Sequence, residues 1–254
     1  KTSVGGFNSF TNAANGLGMS SSPLIAKGVL LAQVENDAYS FSMGINMNNG
    51  ETLWKKDRPR AANWSSPTLF GNGDNQTIIL QSKEGISIVN PKSGKEMYNF
   101  SEGASTIPSS TPAGNILLVP SNGMTALEIQ AGQEKAKKLW SDNKLGPGTG
   151  SPAVSKDRFL VINKANVLTC ARIETGEILW RMRIKGPSSG SPIATDSHLY
   201  FFNEEGLGQV IKINDKKGEV VASVDLEETI LCTPAISGNG LYVRSDSFLW
   251  KFTN

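Results

Sequence analysis

Residues 150–181 read GSPAVSKDRFLVINKANVLTCARIETGEILWR, and this stretch decides the fold of the chain. It holds four apolar segments of about five residues, at 150–154, 159–163, 167–171 and 177–181. Gly, Asn, Asp and Lys separate the segments, which is typical of short strands joined by tight turns. The stretch therefore predicts four antiparallel strands in succession.

The Ser-Pro pair near the start of this stretch returns along the whole chain as Ser-Pro or Thr-Pro. Successive prolines lie 44, 45, 40, 40 and 42 residues apart, at Pro23, Pro67, Pro112, Pro152, Pro192 and Pro234. Four strands in a repeat of this length indicate a propeller blade. We therefore expect an all-β fold, a β-propeller of four-stranded antiparallel blades with six blades visible, in a single domain over residues 1–254.

The two ends of the chain bear on the number of blades. The sixth repeat stops after its third strand, whereas residues 4–10 have the pattern of an outer strand. We expect this N-terminal strand to complete the last blade, because that arrangement leaves no unpaired edge. A truncated seven- or eight-bladed propeller would show the same pattern, and this alternative stays open.

A second motif recurs near the fourth strand of the repeats, where a glycine precedes an aromatic residue by four positions. The pairs are Gly6 and Phe10, Gly50 and Trp54, Gly94 and Tyr98, and Gly176 and Trp180. Trp140 keeps the aromatic place without the glycine. The fifth repeat keeps Gly218 but has Ala222 in the aromatic place, so one large side chain is missing there.

The segment Thr175-Gly-Glu-Ile-Leu-Trp180, together with the Ser-Pro pair, resembles the tryptophan-docking repeat of pyrroloquinoline-quinone-type propellers. The resemblance covers nearly the whole chain and implies that aromatic residues pack between neighbouring blades. The docking residues would be Phe10, Trp54, Tyr98, Trp140 and Trp180. The family includes quinoprotein dehydrogenases and non-catalytic periplasmic propellers, among them an outer-membrane assembly lipoprotein, so the resemblance implies a fold and leaves the chemistry open.

Composition and charge exclude several function classes. Twenty-five basic residues are interspersed with 23 acidic ones for a net charge of +2, so the basic stripe of a nucleic-acid-binding protein is absent. No apolar stretch reaches the roughly 20 residues of a transmembrane helix. Cys170 and Cys232 lack metal-site spacing, and we expect two separate buried thiols. The resemblance implies a periplasmic or secreted location, although the visible chain, which begins at Lys1, shows no signal peptide.

Loops on one face of a propeller are the expected place for a binding site, because inter-blade links and the turns between second and third strands meet there. The link at 55–64 is the richest in residue types that bind partners. The candidate binding residues are Arg58, Arg60, Asn63, Trp64, Lys83, Asn122, Lys164, Glu204, Arg244 and Asp246. The alternative is that Trp64 packs under the next strand and that both arginines are solvated.

Two further groups of polar residues have simpler predicted roles. Residues 35–37 are expected to form a turn. The polar residues that end the second strands are expected to hydrate the mouth of a central channel. They are Gln33, Gln81, Ser121, Asn163, Asn203 and Ser245.

Catalysis finds no support in the residues. The resembling dehydrogenases hold their quinone under adjacent cysteines, and this chain has no such pair and no aspartate that can be assigned as catalytic base. The single histidine, His198, stands at a strand start. We therefore expect a non-catalytic scaffold without metal or cofactor, whose partner is another protein or a cell-envelope component. The alternative is a quinone-dependent alcohol or sugar dehydrogenase that uses pyrroloquinoline quinone and calcium.

Overall fold

The computed structural model describes residues 20–37, 39–130 and 136–253. These residues form 23 strands in six antiparallel sheets, together with two short 3-10 turns at Gly73–Asn75 and Asn143–Leu145. Five sheets have four strands each and the sixth has three. The expected all-β propeller with four-stranded antiparallel blades is confirmed. The predicted closing strand at 4–10, with Phe10, lies outside the described residues.

Each blade is a meander in which strands consecutive in sequence are hydrogen-bonded neighbours. The first blade contains β1 (Leu24–Ala26), β2 (Val29–Val34), β3 (Phe41–Asn46) and β4 (Thr52–Asp57). The second contains β5 (Thr68–Phe70), β6 (Thr77–Ser82), β7 (Gly85–Val89) and β8 (Glu96–Phe100). The third contains β9 (Thr111–Ala113), β10 (Ile116–Ser121), β11 (Gly123–Glu128) and β12 (Lys137–Asp142).

The remaining three blades repeat this order. The fourth contains β13 (Ala153–Ser155), β14 (Arg158–Ile162), β15 (Val167–Arg172) and β16 (Ile178–Arg183). The fifth contains β17 (Ile193–Ala194), β18 (His198–Phe202), β19 (Leu207–Ile213) and β20 (Gly218–Asp225). The sixth contains β21 (Ala235–Ser237), β22 (Gly240–Arg244) and β23 (Leu249–Phe252).

The chain divides into two compact units. The first unit comprises the described residues up to Ser121 together with those of Leu127–Lys138, and the second comprises Asn122–Ala126 with the described residues from Leu139 onward. The single-domain organisation expected from the repeat stays a prediction. No helix among the described residues is long and apolar enough to cross a membrane.

The hydroxyl of the Ser/Thr-Pro motif links successive blades within each unit. In the second unit the Ser151 N–H donates to Ser191 Oγ at 2.8 Å, and the Ser191 N–H donates to Thr233 Oγ1 at 2.9 Å. In the first unit the Ser22 N–H donates to Ser66 Oγ at 2.9 Å. Ser191 therefore donates to the sixth blade and accepts from the fourth, which explains why this motif position carries a hydroxyl.

The aromatic residue of the fourth strand contacts the following blade. Trp54 Nε1 donates to the Pro91 carbonyl at 2.8 Å, and Trp180 Nε1 donates to the Asn214 carbonyl at 2.9 Å. Trp140 and Tyr98 make the corresponding bonds to the carbonyls of Ile173 and Gln130. A buried aromatic ring with a polar tip is most stable when that tip has a partner, and the turn of the next blade supplies it.

The recurring glycine is the surface on which the ring of the preceding blade rests. A Cβ atom at Gly176 would lie 2.9 Å from the Trp140 ring, and one at Gly94 would lie 2.5 Å from the Trp54 ring. The four-residue spacing therefore joins two different interfaces, because the glycine receives one ring and the aromatic residue enters the next blade. Large apolar side chains fill the space between the sheets of each unit, as around Leu117 and Leu160.

Candidate functional site

The link that follows β4 is anchored by a buried carboxylate. Arg58 Nε donates to Glu35 Oε1 at 2.6 Å, and Asn63 Nδ2 donates to Glu35 Oε2 at 2.7 Å. The same Asn63 amide also donates to the Gln81 carbonyl oxygen at 2.7 Å. Both carboxylate oxygens are thus occupied, and the two ends of the link are held in the interior of the first unit.

Glu35 is a buried titratable group. Burial raises the pKa of its carboxyl, whereas the Arg58 cation and the hydrogen bonds from Asn63 and Arg58 act in the opposite direction. Residues 35–37, predicted to form a turn, lie between β2 and β3, and Glu35 in addition fixes an inter-blade link, which is a structural task.

Gln81, at the end of β6, fixes a second link of the first unit. Its Nε2 donates to the carbonyls of Ser105 and Pro108 at 2.5 and 2.8 Å, and its Oε1 accepts from the Ser110 N–H at 2.8 Å. The expectation that Gln81 hydrates a channel mouth is therefore wrong, because protein groups engage its amide.

Two further second-strand residues depart from that expectation. Asn163 Oδ1 accepts from two backbone N–H groups of the turn between β14 and β15, and Asn203 Oδ1 does the same between β18 and β19. Asparagine closes such turns because its side-chain oxygen substitutes for a backbone acceptor. These side chains organise hairpins.

The two anchored links, together with the turn between β6 and β7 at Lys83, carry an exposed surface of mixed character. Arg60 and Lys83 are exposed, Trp64 is half-buried, and Ile107 is 45% exposed. The Trp64 N–H donates to the Thr106 carbonyl at 2.7 Å, which brings one link against the other. We call these four side chains, Arg60, Trp64, Lys83 and Ile107, the first-unit loop surface.

Of the five candidates in the first unit, the structure therefore brings Arg60, Trp64 and Lys83 to the surface. Asn63 is buried and the Arg58 side chain is nearly so. The alternative that both arginines are solvated is wrong for Arg58. Sequence reasoning missed Ile107, because a single isoleucine in a Ser- and Pro-rich link gives no signal of exposure.

The candidates in the second unit are dispersed over different hairpins, except that Arg244 and Asp246 share the one between β22 and β23. Asn122, Lys164, Arg244 and Asp246 are exposed. Glu204 is half-buried and its Oε1 accepts from Ser189 Oγ at 2.7 Å. Their role in binding stays a prediction.

No group of three or more His, Cys, Asp or Glu side chains within the described ranges could hold a metal ion. Cys170 is buried and burial raises the pKa of its thiol to about 12, so it is not a thiolate at neutral pH. Cys232 is half-buried, so the expectation of two buried thiols is wrong for this residue.

Comparison with known proteins agrees with this architecture. The model of the PQQ_2 family, described as outer membrane protein assembly factor BamB, matches residues 128–221. The chain resembles the PQQ-like repeat β-propellers. No curated protein sequence matches the chain.

Solved structures of PQQ-like and designed proteins match over most of the chain. BamB from Moraxella catarrhalis matches with a TM-score of 0.72 at 14% identity, over 90% of this chain and 67% of BamB. The computationally designed Ika8 protein matches with a TM-score of 0.70 at 15% identity, over 92% and 70% of the two chains. A europium-containing methanol dehydrogenase matches with a TM-score of 0.59 at 14% identity, over 82% of this chain and 51% of the enzyme. At these identities the likeness shows the fold alone.

Proposed function

We propose that this PQQ-like propeller is a non-catalytic scaffold that binds a protein partner through the first-unit loop surface. The observation that carries the proposal is the anchoring of both links by Glu35 and Gln81, which fixes the backbone on which Trp64 and Ile107 stand. A preorganised loop loses little conformational entropy on binding. Tryptophan and arginine are also the side chains that most often dominate protein interfaces.

The match to the BamB family supports a protein partner and a location in the periplasm or cell envelope. The protein partner and the periplasmic or envelope location are both parts of the proposal. Fractionation of the source cells checks the location, and we expect the protein in the periplasmic or secreted fraction. Recovery in the cytosolic fraction would contradict that part of the proposal.

The experiment for partner binding uses a photo-reactive amino acid at position 107. The control places the same group at Lys92, an exposed residue in the turn at the other end of the second blade. We expect a covalent adduct with a single protein from position 107 and none from position 92. Mass spectrometry then identifies the partner, which is purified for binding measurements.

Affinity for the purified partner is then compared by calorimetry for Trp64→Ala and Arg60→Ala. We expect each to weaken binding by about tenfold or more, the effect of removing a central interface residue. Trp64→Ala should cost little stability, since its ring belongs to a surface. Unchanged affinity in both variants would overturn the assignment of this surface.

A second candidate function is quinone-dependent oxidation of an alcohol or sugar, favoured by the likeness to the methanol dehydrogenase. The described residues offer no His, Cys, Asp or Glu cluster for the metal, and the buried Cys170 has no neighbouring cysteine in the sequence. We therefore assign no residue to the cofactor. Titration with pyrroloquinoline quinone and calcium, followed by a dye-linked assay with methanol and glucose, tests this candidate. Saturable quinone binding with turnover would replace the scaffold proposal.

A further inference from the structure

The fifth blade has an alanine in the place that an aromatic residue occupies in other blades. Ala222 pairs with Val210 across β19 and β20, as Trp180 pairs with Cys170 across β15 and β16. A register shift follows the paired residue in both sheets, between Cys170 and Ala171 and between Val210 and Ile211. The same pairing and shift occur at Trp54 and Tyr98. Ala222 is therefore the structural equivalent of the docking aromatic residues.

The residues of the next blade that face this position are also equivalent. Leu199 and Ile211 of the fifth blade pair with each other across β18 and β19, and both belong to the cluster that holds Trp180. In the sixth blade the corresponding pair is Leu241 and Phe252. Ala222 thus faces the pair Leu241 and Phe252 of the sixth blade. The equivalent pair in the fifth blade contacts the indole ring of Trp180 instead.

A cavity of about 310 Å³, open to solvent on the side of the exposed Ala222, lies at this position. Its volume is at the lower end of the range for small-molecule sites, about 300–1,000 Å³. The side chains that matter for its shape are Tyr200, Phe202, Val210, Ala222, Leu241 and Phe252. The rings of Phe202 and Phe252 have centroids 6.3 Å apart. The alanine leaves room that its neighbours do not fill.

The residues that line the cavity indicate which class of ligand it favours. None of the described lining residues carries a charge, and aromatic rings form part of the wall. An apolar ligand is favoured here, because its binding removes this apolar wall from water. A charged ligand would lose its hydration without gaining a counter-charge. A planar aromatic ligand fits this cavity, because aromatic side chains occupy the equivalent position at Trp54, Tyr98 and Trp180.

We propose that the cavity beside Ala222 is a binding site for a small, uncharged, planar aromatic molecule of the size of indole. The site is separate from the first-unit loop surface and does not depend on the scaffold function. The bound ring stands where the missing side chain would stand, between the fifth and sixth blades.

Calorimetric titration of the whole chain with indole tests the proposal. We expect saturable binding at one site, and about tenfold or greater loss of affinity in Ala222→Trp, whose own indole occupies the cavity. Val221→Trp is the matched control, because Val221 is exposed on the same strand and does not line the cavity. It should bind indole as the unmodified chain does. Benzoate, an aromatic ring with a charge, should give no saturable heat.

Several results would overturn the site. One is the absence of saturable binding up to the solubility limit of indole. Another is equal affinity in Ala222→Trp and Val221→Trp, and a third is binding of benzoate as tight as that of indole. Circular dichroism checks folding of each variant. If Ala222→Trp does not fold, Ala222→Leu, which fills part of the cavity, must weaken binding for the proposal to stand.

Discussion

The fourth and fifth blades share strand order, register and a bulge at the same place, yet they differ at one side chain. Trp180 fills the space after the fourth blade and donates to the Asn214 carbonyl, whereas Ala222 leaves a cavity after the fifth. The backbone of the fifth blade forms without its docking ring. The comparison teaches that strand pairing specifies the blade itself, while the aromatic residue stabilises its junction with the next blade.

The largest effect should come from making the fourth blade resemble the fifth. We expect Trp180→Ala to lower the free energy of unfolding by about 3–5 kcal/mol, the usual cost of emptying a buried aromatic site. Urea denaturation followed by circular dichroism measures it. Trp250→Ala is the control, because Trp250 is only half-buried, and it should cost less. A loss within measurement error for Trp180→Ala would contradict a stabilising role for its ring.

The surface that receives the ring should be the next most sensitive position. A Cβ atom at Gly218 would lie 2.6 Å from Met182 Sδ and 2.8 Å from the Trp180 ring. We expect Gly218→Ala to cost about 1–3 kcal/mol, since overpacking forces side chains off their preferred rotamers. Urea denaturation of Gly218→Ala, Trp180→Ala and the double variant tests the cause. In the Trp180→Ala background most of the cost of Gly218→Ala should vanish. If the costs of the two substitutions were strictly additive, contact with the Trp180 ring would not be the cause of the destabilisation by Gly218→Ala.

The reverse change should make the fifth blade resemble the fourth. We expect Ala222→Trp to raise the free energy of unfolding by about 0.5–2 kcal/mol, the usual gain from filling a cavity. The same denaturation experiment measures it, with Val221→Trp as the control for the added apolar surface. If Ala222→Trp lowered the free energy of unfolding, the cavity beside Ala222 would not accommodate a tryptophan side chain, although the strand register matches that at Trp180.

The smallest effect concerns chemical accessibility around the Trp180 ring. Cys170 pairs with Trp180 and is buried, whereas Cys232 is half-buried. We expect a disulfide reagent at about pH 8 to modify Cys232 and spare Cys170, because only an accessible thiolate reacts. In folded Trp180→Ala, Cys170 should react as well, and mass spectrometry of the labelled peptides distinguishes the two sites. Equal labelling of both cysteines in the unmodified chain would contradict the burial of Cys170.

Strand order and repeat boundaries could be predicted because they follow from short-range patterns. Alternating apolar residues and turn residues lie within a few positions of one another, and each repeat presents the pattern again. The role of the recurring glycine could not be predicted, since Gly176 rests against Trp140, which lies 36 residues earlier in the sequence. The four-residue spacing within one repeat does not reveal that its glycine and its aromatic residue belong to two different interfaces.

The candidate site was predictable only in its location on the loops. Arg60, Trp64 and Lys83 reach the surface as the composition of the loops suggests, but the burial of Asn63 depends on a carboxylate from another loop. Nothing in the sequence near Asn63 indicates Glu35 as its partner. Long-range hydrogen bonds of this kind decide which polar loop residues face solvent, and composition does not encode them.

The hydrogen bonds from backbone N–H groups to side-chain hydroxyls at Ser151, Ser191 and Thr233 make one complete repeat the unit by which the chain can change length in evolution. The Ser191 hydroxyl accepts from the fourth repeat while the Ser191 N–H donates to the sixth, so removal of the complete fifth repeat leaves the Ser151 N–H facing the Thr233 hydroxyl, an acceptor of the same kind. Removal of half a repeat leaves an N–H without its acceptor. Gain or loss of whole blades is thus the length change that this backbone accommodates most readily.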